Sequence, residues 1–268
     1  MNSCQEWLKN DKRFYQEEGL FYQKDFPRHN SFEESYLKLR QKEGRVYSDE
    51  VVRLLPEFQG SGALATEWKI RKRSTQRLIH YLQRKRPARI LEIGCGNGWL
   101  LRYLHQHVAP ECCGIDINEQ ELQQAVRISG TASSTCFLYG DILSGFINEW
   151  RADIIIVASA AQYFPHLNHF IDRLTPLLTP HGEIHIIDTP FYHEGEIENA
   201  KRRSEKYFTD AGIDAKQRHY YHHTWNSLEP VNYKIVYQPT NFFNKMKKLF
   251  IQDSPFPWIV ISKKDNNG

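Results

Sequence analysis

No stretch of this sequence approaches about 18 uninterrupted apolar residues, so no membrane-spanning helix is expected. The opening residues, Met1-Asn2-Ser3-Cys4-Gln5-Glu6, lack a basic region followed by an apolar core. No secretory leader is therefore expected, and the cytoplasm is the expected compartment. Cysteine is sparse: Cys4, Cys95, Cys112, Cys113 and Cys136, an odd count with no CxxC pair. That argues against a disulfide framework and against zinc, and no metal is expected. Cys112 and Cys113 are adjacent in an apolar run, the usage of a small buried hydrophobe in a reducing compartment. Net charge is only +3, too little for indiscriminate binding to nucleic acid. Internal repeats and low-complexity segments are absent too.

What is present fits a packed globular chain of 268 residues, 40% hydrophobic and 25% charged. Aromatics reach 13%, enough to fill a core and to line apolar pockets besides. Charge is uneven: nine Lys or Arg residues and no Asp or Glu lie between Lys69 and Arg89.

Two organisations follow one another. Up to residue 87 the chain reads as short helices and loops, an N-terminal helical extension or lid. Ser31-Phe32-Glu33-Glu34 is a capping box, with Phe32, Tyr36 and Leu39 on one face and Gly44 as the stop. A short helix is expected from Ser48, with Tyr47 stapled onto Val52, ending before Pro56. A longer one is expected from Thr66 to Gln83, with Trp68, Leu78, Ile79 and Leu82 at helical spacing. Residues 88–268 form a second domain in which strands and helices alternate. Strands are expected at Arg89–Ile93, Cys112–Asp116, Cys136–Tyr139, Ala152–Ala158 and Glu183–Asp188, with later ones near Val231–Tyr237 and Trp258–Ser262. Helices are expected at Trp99–Gln106, after the capping box Asn118-Glu119-Gln120-Glu121, over Leu167–Leu178, and near Ile197–Ala211. This alternation predicts a doubly wound α/β fold: a mostly parallel, seven-stranded sheet with helices on both faces, plus the N-terminal helical cap. Such sheets bind ligands beyond the carboxyl ends of their strands.

Three successive strand ends carry polar signals. The first runs into Glu92-Ile93-Gly94-Cys95-Gly96-Asn97-Gly98, a loop that turns sharply and lets a ligand touch its backbone. The second ends in Asp116, about 20 residues on, where a carboxylate can accept two hydrogen bonds from a ribose diol. The third ends in Gly140-Asp141, placed to accept from an adenine amino group. Each signal alone equally fits a structural turn or a helix cap; their combination points to a nucleotide. A nicotinamide fingerprint would need a third glycine where Trp99 stands. Glycine falls at Gly98 instead, a spacing suited to a ligand without a pyrophosphate.

Glu92-x-Gly94-x-Gly96-x-Gly98 resembles motif I of class I S-adenosylmethionine-dependent methyltransferases. Asp116 matches that family's ribose acid and Asp141 its adenine-contacting acid. Leu177-Leu178-Thr179-Pro180-His181-Gly182 is similar to the family's turn before the fifth strand, with His181 replacing a glycine. Tyr207-Phe208-Thr209-Asp210-Ala211-Gly212-Ile213 is similar to a late "F-x-x-A-G-F" segment. The resemblance covers roughly residues 66 to 262 and is nearest to the small-molecule group often called type 11. It implies S-adenosyl-L-methionine as cofactor, held by Glu92, Gly94, Cys95, Gly96, Gly98, Asp116, Ile117, Asp141, Ile142, Ser159 and Gln162. Glu92 would order the glycine loop, and Ser159 to Phe164 would flank the sulfonium and receive the acceptor.

Methyl transfer needs alignment more than a universal catalytic residue. His222, His223 and Tyr163 are the catalytic candidates, each also readable as packing or surface. After the fourth strand the sequence is Ser159-Ala160-Ala161-Gln162, without the Asn- or Asp-Pro-Pro-Tyr segment of base-amine methylation, and no Pro-Cys nucleophile of the pyrimidine type occurs. A small-molecule, lipid or sugar-linked acceptor is therefore favoured over nucleic acid. An anionic acceptor is expected if Arg71, Arg73 or Arg77 of the basic helix faces the cleft; the alternative is a solvated face. A catalytically silent cofactor-binding module, an RNA methyltransferase and an NAD-dependent oxidoreductase stay open beside this reading. Oligomeric state is not legible.

Overall fold

Five apolar runs lie side by side at the centre of the molecule, and each alternates its side chains between two cores. In the computed structural model, the described residues are 3–28, 31–108, 110–130, 134–145, 147, 149–213, 219–229, 231–248 and 250–263, without the side chains of Ser31, Lys247 and Lys248. The Ser31 hydroxyl of the expected capping box therefore lies outside them.

The elements run α1 (Ser3–Asn10), β1 (Phe14–Glu17), β2 (Leu20–Gln23), α2 (Ser31–Lys42), α3 (Asp49–Leu54) and α4 (Gly62–Lys85). There follow β3 (Arg89–Ile93), α5 (Trp99–Val108), β4 (Glu111–Asp116), α6 (Glu119–Ser129), β5 (Thr135–Tyr139), β6 (Ala152–Ala158), α7 (Leu167–Leu174) and β7 (Leu178–Ile187). The chain then forms β8 (Phe191–Tyr192), α8 (Glu194–Asp210), β9 (His223–Thr224), β10 (Tyr233–Tyr237), α9 (Phe242–Lys248) and β11 (Trp258–Ser262).

Among the described residues the main sheet has nine strands, in the order β1-β2-β5-β4-β3-β6-β7-β11-β10. Strands from β2 to β7 are parallel; β1, β11 and β10 pair antiparallel. The seven expected strands are all there, from β5 across to β10. The two extra strands come from the N-terminal region, which is thus not helical throughout. Glu18 and Gly19 make a two-residue turn with positive φ (47° and 87°), and β2 adds parallel to the edge of β5. Covering β5 in this way moves the sheet's edge outward to β1, a strand of only four residues.

Leu91, Ile93, Cys113, Ile115, Ile155 and Val157 pack on one face with α1 and α7. Ile90, Cys112, Phe137, Ile154 and Ile156 pack on the other with α4, α5 and α6. Burial on both faces explains why these strands read as continuous apolar runs. All five cysteines are buried, and the sulfurs of Cys4, Cys113 and Cys136 lie within 4.8 Å of one another, joining α1 to β4 and β5.

Helix α4 is longer than the expected span. Its Trp68 meets Trp99 edge-to-face at 5.1 Å, while Leu78 and Leu82 are fully buried. Strand order reverses between β3 and β6, because β3 is followed by β4 on one side and flanked by β6 on the other. The crevice beyond those two strand ends is where such a sheet takes a ligand.

Candidate active site

The glycine loop leaves β3 into that crevice. Gly94 N–H donates to the Ile115 carbonyl (2.8 Å), and Gly96 N–H to Asp116 Oδ2 (2.7 Å). Two glycines of the loop serve different ends. Gly96 (φ 51°) lines the crevice, and a Cβ there would meet only the Glu121 carboxylate, a flexible side-chain end. Gly98 (φ 70°) faces inward, where a Cβ would lie 2.8 Å from Ala125 Cβ and 2.9 Å from Phe137 Cε1. It lets α5 settle against the sheet and does not line the crevice. Across the crevice, Ser159 at the end of β6 holds φ 52°, a left-handed conformation rare outside glycine. Arg71 Nη1 donates to its hydroxyl at 3.2 Å.

The crevice is a cavity of about 430 Å³, within the range of small-molecule sites. Glu92, Gly94, Cys95, Gly96, Asp116, Ile117, Asp141, Ile142 and Ser159 line it, as does Tyr163. Gln162 does not; it lines a second cavity of about 710 Å³ that adjoins the first. The two share Phe32, Tyr36, Arg40, Arg71, Ser159, Tyr163 and His219, among others. Helix α2 supplies the roof at this junction: Phe32 and Tyr36 each meet Tyr163 edge-to-face, at 5.7 and 5.9 Å.

Five carboxyl groups line the first cavity, those of Glu67, Glu92, Asp116, Glu121 and Asp141. Asp116 accepts the Asn118 N–H at Oδ1 (2.9 Å) besides that of Gly96 at Oδ2. Burial pushes its carboxyl up, and those backbone hydrogen bonds draw it back. Glu92 is buried, and its Oε2 has no hydrogen-bond partner among the described residues. Burial, with the Asp116 charge adding to it, pushes Glu92 well up. The buried Asn118 Nδ2 is equally without a partner. Asp141 accepts the Leu143 N–H at 2.9 Å and marks the far end of the cavity. Unpaired buried polar atoms are costly unless a ligand meets them. These carboxyl acceptors therefore suit a molecule that presents a diol and an ammonium group as donors, as S-adenosylmethionine does.

Glu121 was expected to close a capping box. Asn118 Oδ1 does accept the Glu121 N–H (3.0 Å), but the Glu121 carboxylate turns into the cavity instead. There burial lifts it to about 7, against the pull of Arg40. Arg40, one turn after Tyr36, donates to the Tyr36 hydroxyl at 2.6 Å and lies over its ring. Glu121, Tyr36, Arg40 and His219 are site residues that motif reading missed.

A carboxyl held above its ordinary value keeps a proton that the unfolded chain has already lost. Its stabilising effect is whole below about 4.5 and is lost as pH rises through about 7. Glu121→Gln stays neutral and escapes that loss. The stability of Glu121→Gln relative to wild type is expected to rise by about 1–2 kcal/mol across this window, a figure reduced for solvent screening. Urea melts at several pH values check it; a difference that is flat with pH refutes it.

The two candidate histidines line neither cavity. His223 is buried with Nε2 2.9 Å from the Ala161 carbonyl, and His222 Nε2 lies 2.9 Å from Ser204 Oγ. Burial lowers both below the usual histidine value, which keeps the rings neutral where they stand. The basic helix divides as well. Arg71 reaches the site, whereas Arg77 pairs with Asp253 (2.7 Å) and Arg73 lines neither cavity. Its charge is met by acids distant in sequence or just upstream: Glu67 for Arg71, Glu57 for Lys72 and Glu183 for Lys85.

A family model described as a methyltransferase domain matches residues 68–233. The chain is 33% identical over 108 residues to a protein-L-isoaspartate O-methyltransferase of Shewanella baltica, covering 40% of this chain and 49% of that protein. It is 23% identical over 108 residues to the chloroplastic tocopherol O-methyltransferase of Arabidopsis thaliana, covering 39% and 31%. These matches span less than half the length of either relative. The crystal structure of magnesium protoporphyrin IX methyltransferase from Synechocystis PCC 6803, with bound SAH, has the same fold: TM-score 0.54, 13% identity, 87% of this chain and 96% of that one. With motif I seated at the switch point and the family model matching most of the chain, this protein belongs to the class I S-adenosylmethionine-dependent methyltransferases.

Proposed function

We propose that this protein transfers a methyl group from S-adenosylmethionine to a small acceptor with an aromatic or apolar body and a negative charge. The observation that carries this reading is the meeting of two cavities at Ser159 and Tyr163, beyond the end of β6. A donor in the first then faces an acceptor in the second. Cofactor binding is assigned to Glu92, Gly94, Cys95, Gly96, Asp116, Ile117, Asp141, Ile142 and Ser159, with Glu121 and Arg40 added. Gly98 is reassigned to packing and Gln162 to the acceptor side.

The bound cofactor supplies a methyl carbon made electrophilic by positive sulfur. Asp116 accepts from the ribose diol while its bonds to Gly96 and Asn118 fix the loop. Arg40 and Arg71 offer cations to the amino-acid carboxylate. The roof of Phe32, Tyr36 and Tyr163 excludes water and aligns the acceptor. His219 lines both cavities and is the histidine placed to accept a proton from an acceptor hydroxyl.

Aromatic walls on the second cavity, among them Tyr163, Tyr207, Phe208, Tyr220 and Phe256, favour an apolar acceptor over a sugar. Arg203 also lines it and makes no salt bridge among the described residues, unlike Arg40, Arg45 and Arg71. The test begins with calorimetric titration of S-adenosylhomocysteine and of NADH, then transfer of labelled methyl into a metabolite extract. Once an acceptor is identified, Arg203→Gln is expected to raise its KM about tenfold with kcat little changed, and Arg73→Gln to leave both alone. Binding of S-adenosylhomocysteine with no acceptor labelled in any extract would mark a silent module. Equal KM in wild type and Arg203→Gln would remove the anionic acceptor.

A further inference from the structure

Between β10 and β11 the chain leaves the sheet in a segment whose surface is unlike the rest. Eleven large hydrophobic residues are exposed among the described residues; five of them, Phe242, Phe243, Met246, Phe250 and Ile251, fall in this segment, and Ile235 and Val236 lie just before it on β10. Phe242, Phe243 and Phe250 are 70%, 73% and 84% exposed. Scattered exposed apolar residues are ordinary, whereas a concentration of aromatic ones marks an interaction surface. Its sequence carries charge of one sign: Lys245, Lys247 and Lys248 lie between Tyr237 and Gln252 with no Asp or Glu, while Lys234, on β10, faces Glu183 at 3.8 Å.

Three contacts among the described residues anchor the segment. Arg77 clamps its end at Asp253 (2.7 Å), the Tyr237 hydroxyl donates to the Ser254 carbonyl (3.1 Å), and Asn244 Nδ2 donates to the Gln238 carbonyl (2.8 Å). Phe242 and Phe243 meet edge-to-face at 5.9 Å and stay outside. The same stretch continues into Pro255 and Phe256, which line the second cavity.

We propose that this face docks on an anionic lipid bilayer. Aromatic side chains enter the boundary between headgroups and acyl chains, and lysines meet the negative surface. The pairing of exposed aromatics with lysine and without acid is complementary to that surface. A protein partner or a second copy would need acids of its own opposite these lysines. Docking here brings the chain that runs on into the acceptor cavity at Pro255 and Phe256 to the bilayer, where an apolar acceptor would partition. Bilayer docking by this face does not depend on methyl transfer, and vesicle sedimentation reads no activity.

The whole chain is sedimented with vesicles of phosphatidylcholine, and with vesicles of phosphatidylcholine mixed with phosphatidylglycerol. Wild type is expected to pellet with the mixed vesicles and to be released by added salt. Lys245→Gln is expected to lower partition about fivefold. The double substitution Phe242→Ser, Phe250→Ser is expected to lower it at least about tenfold. Circular dichroism confirms that the variants are folded, and the salt arm stands on wild type alone. Failure of wild type to pellet with either vesicle overturns the proposal, as does unchanged partition of the folded double variant. A concentration-dependent dimer in sedimentation velocity, abolished by the same substitutions while no vesicle binds, also overturns it and assigns the face to a second copy.

Discussion

Asp116→Ala is expected to weaken S-adenosylhomocysteine binding about 10- to 100-fold, measured by calorimetric titration of a variant that still folds. The substitution removes both carboxylate oxygens at a site where burial gives each hydrogen bond full weight. Because both oxygens already accept backbone N–H groups, the ligand loses about one charge-assisted hydrogen bond's worth, about 1.5–3 kcal/mol, and 1.4 kcal/mol is a factor of ten. Asp116 also holds the Gly96 N–H at 2.7 Å and the Asn118 N–H at 2.9 Å, so the alanine variant loosens the loop as well as losing the diol. Asp116→Asn keeps one acceptor and should fall between. Unchanged affinity in folded Asp116→Ala would remove the carboxylate from the cofactor site.

The second large effect falls on folding rather than on binding. Gly98→Val is expected to lower unfolding free energy by about 2–5 kcal/mol, read from the midpoint of a urea melt. A left-handed φ of 70° costs a side-chain-bearing residue about 1–2 kcal/mol. The added carbons then press on Ala125 and Phe137, both in the core, and overpacking there costs about 1–3 kcal/mol. Gly96→Ala is the contrast. It shares the backbone strain, but its Cβ points at the mobile end of Glu121, so its larger loss should be in cofactor affinity. If Gly98→Val melts like wild type, the inward packing of that glycine is wrong.

The parts of this molecule written in continuous local pattern were readable from sequence. The strands at Arg89–Ile93 and Ala152–Ala158 are bounded as expected because both of their faces are buried. The glycine loop, Asp116 and Asp141 were findable because local chain geometry brings successive strand ends to one rim. The roof was not, because Tyr36 and Arg40 reach the rim from about 80 residues before Asp116, on a helix whose pattern only says that one face is apolar. The hairpin at Phe14–Gln23 did carry a signal. Glu18-Gly19 between two aromatic runs is a two-residue hairpin turn, overlooked because each run is only four residues long. Glu121 was misplaced for a different reason: a glutamate three residues after an N-cap fits a reciprocal cap equally well, and only packing decides which way it turns. The basic run from Lys69 to Arg89 looked unneutralised because its acids, Glu57, Glu67, Glu183 and Asp253, all lie outside it.

The docking of the first 45 residues has a thermodynamic consequence. They furnish Phe26, Phe32, Tyr36, Arg40 and Arg45 to the cofactor cavity. They are tied to the sheet by α1 in the core and by a β2–β5 ladder of two residue pairs, Phe21 with Leu138 and Tyr22 with Tyr139, with Tyr22 and Arg28 on Glu119. A ligand that touches both this segment and the glycine loop binds the closed arrangement better than the open one. Linkage is reciprocal, so the factor by which docking tightens the ligand is the factor by which the ligand tightens docking. Amide protection at Phe21 and Tyr22 is therefore expected to rise when S-adenosylhomocysteine is added, and substitutions that fray that ladder are expected to weaken its binding.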